Sequence, residues 1–457
     1  MMKPITDARG LALSGLDAAQ AEQYDALLTE LYLYRSGVQA KLQALLDQAP
    51  GFVLGQVLRG YAHMGDGLST GVPEARRYLA LAQALPEANE RERLHIQALQ
   101  AWVDGRVAER LQALEDLVLR WPLDLLAYRQ LTNMLFWTGD KRRQLAAAMQ
   151  AVAHWDPSVS GHALVLGPLA FALEEAGSYE LAETHALQAL QQNPLDLWAL
   201  HALAHVHEMQ GRLHEGERSL SAVADRLNDF NLFRGHVWWH LALFKVGLGR
   251  LDEALDLFDQ QIFPSPSAFY LDIQNAASLL ARLEIQGVNV GERWQRVADA
   301  AEQTVGQHLV AFTWPHQALA LARTGRSPAL AAALAGMRDQ AQAGADQAAM
   351  AQAVSEALAH YGAGDHALFM RQMRPLRHDA ASLGASHAQQ DLYFQLLVDT
   401  ALHLGDVPLA QSLLQERLAS RLAGAPAWPR LTEVARHMAQ ERDPARLRAL
   451  LRTGGLP

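Results

Sequence analysis

Cysteine is missing from all 457 residues. Its absence excludes disulfides, thiolate nucleophiles, Cys-ligated zinc and iron–sulfur clusters. Lysine is scarce. Only Lys3, Lys41, Lys141 and Lys245 stand among 39 basic residues, against 49 acidic ones, for a net charge of −10. An acidic chain without basic blocks is a poor binder of nucleic acid or of an anionic membrane surface, so neither is expected as a partner. No window holds 18 uninterrupted apolar residues, and Met1-Met2-Lys3-Pro4-Ile5-Thr6-Asp7 has no apolar signal core. A soluble, cytoplasmic protein is expected. Phosphate-cradling motifs are missing too: there is no Gly-x-x-x-x-Gly-Lys-Ser/Thr loop and no Gly-x-Gly-x-x-Gly fingerprint after a strand. With half its residues hydrophobic and 19% charged, the chain still has ample material for a core.

What is there in quantity is punctuation. Gly105, Gly139, Gly177, Gly211, Gly249, Gly287 and Gly325 follow one another at intervals of 34 or 38 residues. A further step lands in Tyr361-Gly362-Ala363-Gly364-Asp365, and Gly405 closes another unit. Each glycine ends a run with helical periodicity and precedes a second such run, as in 169–187. Glycine there supplies the left-handed C-cap that stops the first helix and turns the chain. Pro122 and Pro194 stand 17 residues after Gly105 and Gly177, just past the second helix. No strand alternation is present. The reading is an all-α chain of about nine helix hairpins in series, each burying its apolar face against its neighbours.

Residues 163–196, with Ala170, Gly177, Ala182 and Pro194, resemble the tetratricopeptide repeat, and 197–230 and 235–268 follow the same register. That resemblance implies a right-handed α-solenoid, here a single superhelical domain with no internal linker. Residues 20–90 are expected as divergent helix pairs, 91–326 as regular repeats, 327–416 as divergent repeats and 417–457 as capping helices. Ile262-Phe263-Pro264-Ser265-Pro266-Ser267 reads as an extended loop between repeats, and Ala-rich 328–356 as a weak hairpin. The last 41 residues carry eight Arg against three acids, which reads as a solvated capping helix.

Longer stretches are more specific. Residues 200–211 (Leu-His-Ala-Leu-Ala-His-Val-His-Glu-Met-Gln-Gly), 236–244, 270–283 and 386–391 resemble the tetratricopeptide repeat protein 38 family. The resemblance runs from about residue 20 to 420 and implies the solenoid, but no agreed activity. Two departures stand out. Asn275 and Trp314 occupy places where that family usually shows acids.

Nineteen histidines are many, and nine of them lie between His154 and His240. In proteins of the repeat's kind, positions 2, 5, 9 and 12 of each first helix point to the concave side, one stripe of a 3.6-residue helix. In 197–230 these are Trp198, His201, His205 and Glu208. In 163–196 they include Phe171 and Glu174, and in 235–268 His236 and Trp239, with His240 at the stripe's edge. The expected arrangement is an enclosed concave pocket, with Trp198, Trp239 and Phe171 as walls and His201, His236 and His240 as polar contacts. His316 and His387 are expected at the opposite wall, with Asp272 or Asp391.

Three readings remain open for this cluster. It is an internal polar network that fixes helix register, a pocket for a small molecule or short peptide, or the site of an enzyme. For the enzyme, Glu208, Glu174 and His205 are the catalytic candidates. His201 and His205, spaced i, i+4, are the candidate ligands of a divalent metal, the cofactor such a site would take. The metalloprotease His-Glu-x-x-His is absent, and so is a lysine clamp for peptide carboxylates. An open scaffold for protein partners is the third functional class. Gly67-Leu68-Ser69-Thr70-Gly71 matches a nucleophile elbow only on paper, because it falls between two helices.

Overall fold

The computed structural model describes residues 5–422, 440–443 and 445–447. Among them the protein is all-α, with helices in consecutive hairpins and only two isolated β-bridges, Thr6 with Ala12 and Arg35 with Phe230. In chain order the pairs begin with α1 (Ala18–Tyr32) and α2 (Val38–Gln48), then α3 (Val53–Gly65) and α4 (Val72–Gln83). They continue through α5 (Glu90–Val103) and α6 (Val107–Arg120), α7 (Leu125–Trp137) and α8 (Lys141–Val152), and α9 (His162–Glu175) and α10 (Tyr179–Gln192). Next come α11 (Leu197–Met209) and α12 (Leu213–Ser221), α13 (Arg234–Gly247) and α14 (Leu251–Leu257), and α15 (Tyr270–Ile285) and α16 (Arg293–Gln303). The last are α17 (Thr313–Arg323) and α18 (Ser327–Gln342), α19 (Ala348–Gly362) and α20 (His366–Leu376), and α21 (His387–His403) and α22 (Val407–Leu422).

The glycine ruler marks the inner turn of every pair from α5–α6 to α21–α22. Gly105, Gly139, Gly177, Gly211, Gly249, Gly287, Gly325, Gly364 and Gly405 all have φ between 67° and 83°. Eight of these turns, all but that at Gly177, share one closure. At Gly211 the glycine N–H reaches the Glu208 carbonyl at 3.0 Å, and the next N–H, of Arg212, reaches back to His207 at 2.8 Å. This arrangement satisfies carbonyls that a helix end leaves bare. The two pairs without a ruler glycine are α1–α2 and α3–α4, in the segment expected to diverge. The Gly67–Gly71 stretch forms a short 3-10 turn, Ser69–Gly71, between α3 and α4. The Ala-rich segment is the α18–α19 hairpin; of the loop expected over 262–267, Ile262 instead ends a π-helical turn, Phe258–Ile262, and 263–269 is an irregular connection to α15. The expected capping helices after Leu422 lie almost wholly outside the described residues.

First and second helices of a pair differ in burial. In α15 the thirteen consecutive residues Leu271–Leu283 are all buried, whereas α18 buries only Ala333 and Met337. A helix covered on all sides buries whatever polar groups it carries, and those groups then need partners. That is what makes the first helices informative about function.

Contacts group the chain in two compact units. The first comprises Met1–Ala176, Glu180–Leu203 and Asp225–Asn231; the second comprises Gly177–Tyr179, Ala204–Ala224 and the chain from Leu232 onward. In the second unit, small residues bring first helices close. A Cβ on Gly362 of α19 would stand 2.8 Å from the Leu319 carbonyl oxygen of α17. The same unit also turns back on itself, because α21 packs on α15: Gln389 Nε2 donates to Gln274 Oε1 at 3.1 Å across 115 residues of sequence.

Candidate functional site

The sequence-derived residues fall on the first helices α9, α11, α13, α15, α17 and α21, and the two units hold them as two groups. In the first unit the group is aromatic. Phe171 of α9 stacks on His201 of α11 with ring centroids 5.3 Å apart, and Trp198 meets His201 at 5.0 Å. Tyr34, in the turn after α1, stacks nearly parallel on Trp198 at 5.7 Å. The Arg129 guanidinium lies 5.2 Å from the Trp198 ring centroid and donates to the Tyr34 hydroxyl at 2.9 Å. Cation–π contact of this kind holds a charged group against an aromatic face. Glu174 is fully buried on α9.

In the second unit the group is polar. His205, one turn after His201 on α11, is fully buried, as is His240 of α13; His236 is 3% exposed. Their rings converge: His205 lies 4.4 Å from His240 between centroids, and His236 lies 4.8 Å from His240. Each offers a ring nitrogen within 4.8 Å of the others. Trp239 stacks on His236 at 5.1 Å, nearly parallel. Two acceptors orient the imidazoles. Asn275 of α15 takes a hydrogen bond from His236 Nδ1 at 2.9 Å, and the Glu208 carboxylate takes one from His240 Nδ1 at 3.3 Å. Both rings are thereby set with the proton on Nδ1.

The electrostatics follow from this burial. Burial pushes His236 down to about 4, although Asn275 and Glu208 pull the other way. It also holds His240 well below the ordinary histidine range, with His236 and Arg282 adding to the effect. Both are neutral at pH 7. Arg282 is the charged centre of this interior and is itself buried. Its guanidinium lies 5.5 Å from the Trp239 ring centroid, donates to Ser278 Oγ, and reaches the Ala388 carbonyl of α21 at 2.8 Å.

The distant residues are also placed. His316 is buried on α17, hydrogen-bonds the Phe312 carbonyl at 2.9 Å, and is pushed down to about 4 by burial, with Arg282 adding to it. Asp391 of α21 pairs with Arg417 at 2.6 Å. His387 stands half-buried at the start of α21. Asp272 accepts from Ser267 at 2.7 Å and is raised to about 6 by burial, which outweighs that hydrogen bond and Arg234.

Several site residues were not legible in advance. Arg282 sits in Leu-Leu-Ala-Arg-Leu, a lone charge in an apolar run, which was its only signal. Gln274 and Gln389 bind each other, and Gln274 also donates to Thr313 Oγ1 at 2.8 Å. In the first unit, Asp124 takes hydrogen bonds from Arg91 at 2.8 Å and His95 at 2.9 Å, all three buried. The i, i+4 spacing of Arg91 and His95, with an N-cap aspartate a repeat later, was the available sign.

No family model matches the chain. One similar solved structure, described as Naa15/Naa10 bound to HypK-THB, is 13% identical, with a TM-score of 0.27; the match covers 92% of this chain and 59% of that one. The chain thus spans about three-fifths of that protein's length. No described helix is long and apolar enough to cross a membrane.

Proposed function

We propose that this tetratricopeptide-like helical-repeat protein, of the tetratricopeptide repeat protein 38 family, binds a small molecule or short peptide. The contacts are the His/Trp/Glu groups carried by its first helices. One observation supports this reading: the second unit buries His205, His236, His240, Glu208 and Arg282 together, where leucine and alanine fill other core positions. Desolvating such groups is costly, and an apolar set of equal volume is often as stable or more so. Polar groups kept at that cost fit a role in recognition, which needs a few oriented donors and acceptors between apolar walls. Within the second unit Trp239, stacked on His236, is such a wall.

The family's acid at position 275 fits the same picture. Asn275 keeps the acceptor for His236 while removing the charge, so this chain preserves the ring's orientation and gives up basicity. Native mass spectrometry of the untagged protein tests the reading. A small molecule released on denaturation, and lost from Trp239→Ala and His236→Ala, is expected. Absence of any retained molecule, together with no thermal shift across a metabolite panel, overturns it.

The His240–Glu208 contact favours a second reading, an enzyme of hydrolase type. A carboxylate that orients an imidazole is how a general base is held in its working tautomer.

A further inference from the structure

The geometry points to a divalent transition-metal site built by His205, His236 and His240. This deepens the binding reading above and rests on it. The three histidines come from two neighbouring first helices, are buried, and bring nitrogens within 4.8 Å of one another. Zinc binds imidazole nitrogen at about 2.0–2.1 Å, which in a tetrahedral shell puts nitrogens roughly 3.3 Å apart. Small rotations of three side chains close that difference.

The orienting groups carry the argument further. A metal-bound histidine characteristically donates its other ring N–H to a carboxylate or an amide oxygen. Here His236 gives Nδ1–H to the Asn275 side-chain oxygen, and His240 gives Nδ1–H to the Glu208 carboxylate. With the proton on Nδ1, the ring nitrogen that carries the lone pair is Nε2 in both. The carboxylate–histidine arrangement at His240 also supplies a negative charge next to the ion, offsetting the nearby Arg282. Neutral imidazoles with no thiolate and no direct carboxylate ligand suit zinc, cobalt, nickel or copper, not magnesium or calcium.

The test uses untagged full-length protein dialysed against cobalt(II) or zinc(II) alone. Cobalt is read by its visible absorption, which intensifies in a tetrahedral nitrogen site, and zinc by elemental analysis after gel filtration. A single tightly held ion per chain is expected, with His205→Ala, His236→Ala and His240→Ala each losing it and surface His154→Ala keeping it. Should the three ligand variants misfold, position 275 decides. Asn275→Leu should weaken binding by about 10–100-fold, while Asn275→Asp, which keeps an acceptor, should not. Folded wild type without a retained ion, or equal binding by Asn275→Leu and wild type, overturns the site. An organic molecule retained by protein that takes up no cobalt or zinc would sink the metal and leave the binding reading standing.

Discussion

At the residue scale, burial decides what each substitution costs. His205 is fully enclosed, so His205→Ala removes ring contacts and leaves neighbours short of a partner. A loss of about 1–3 kcal/mol is expected in urea denaturation. Glu208→Gln keeps the volume and an acceptor for His240, so it should cost less than His205→Ala. If the enzyme reading holds, that same variant should lower turnover by about 10²–10⁴ with binding retained. Asp124 gives a pH test in the first unit. Burial alone would raise its carboxyl, but His95 and Arg91 outweigh burial and hold it far below the usual range. The unfolded chain then binds a proton that the folded one refuses, so stability is present above about pH 4 and falls as pH drops below it. Wild type should therefore lose stability between pH 5 and 3 more steeply than Asp124→Asn, measured by chemical denaturation. Equal slopes would remove the carboxylate from the account.

At the element scale, glycines serve two separate purposes, and mutation separates them. Gly249 has φ of +73° and open space around a would-be Cβ. Gly249→Ala should cost about 1 kcal/mol, all of it backbone strain. Gly216 of α12 is helical, but a Cβ there would meet the Phe244 ring of α13 at 2.1 Å. Gly216→Ala should cost more, about 1–3 kcal/mol for overpacking, and Phe244→Leu should relieve part of it. Thermal melts of the two single variants and the double one check both statements. The nine ruler glycines were legible because a helix end needs the left-handed region whatever packs around it. The packing glycine was not legible, since its partner lies in the next hairpin.

At the scale of the whole molecule, the feature to test is the return of α21 onto α15 inside the second unit. Arg282 ties the two through the Ala388 carbonyl, and Gln274–Gln389 is the neighbouring link. Replacing Arg282 by Met keeps the stem and removes the donors. Hydrogen exchange of α21 amides should speed up about 10- to 100-fold in Arg282→Met, a local loss of one or two buried hydrogen bonds. Exchange in α5–α6 should not change. Uniform acceleration across the chain would show that the contact governs global stability instead.

Local physics is enough to read much of this protein from its sequence. Helical periodicity, left-handed glycines and prolines past helix ends act within a few residues, so hairpins, their boundaries and the polar stripe of α11 are visible in one dimension. The i, i+4 pairs His201/His205 and His236/His240 are visible for the same reason. Tertiary structure decided how those pairs are used. Whether His236 is oriented depends on Asn275, 39 residues on, and whether His240 is charged depends on burial and on Arg282. Nothing in the sequence around Arg282 points to its acceptor on α21, a backbone carbonyl 106 residues away. Such pairings follow from chain return and close helix packing, which leave no periodic trace in sequence.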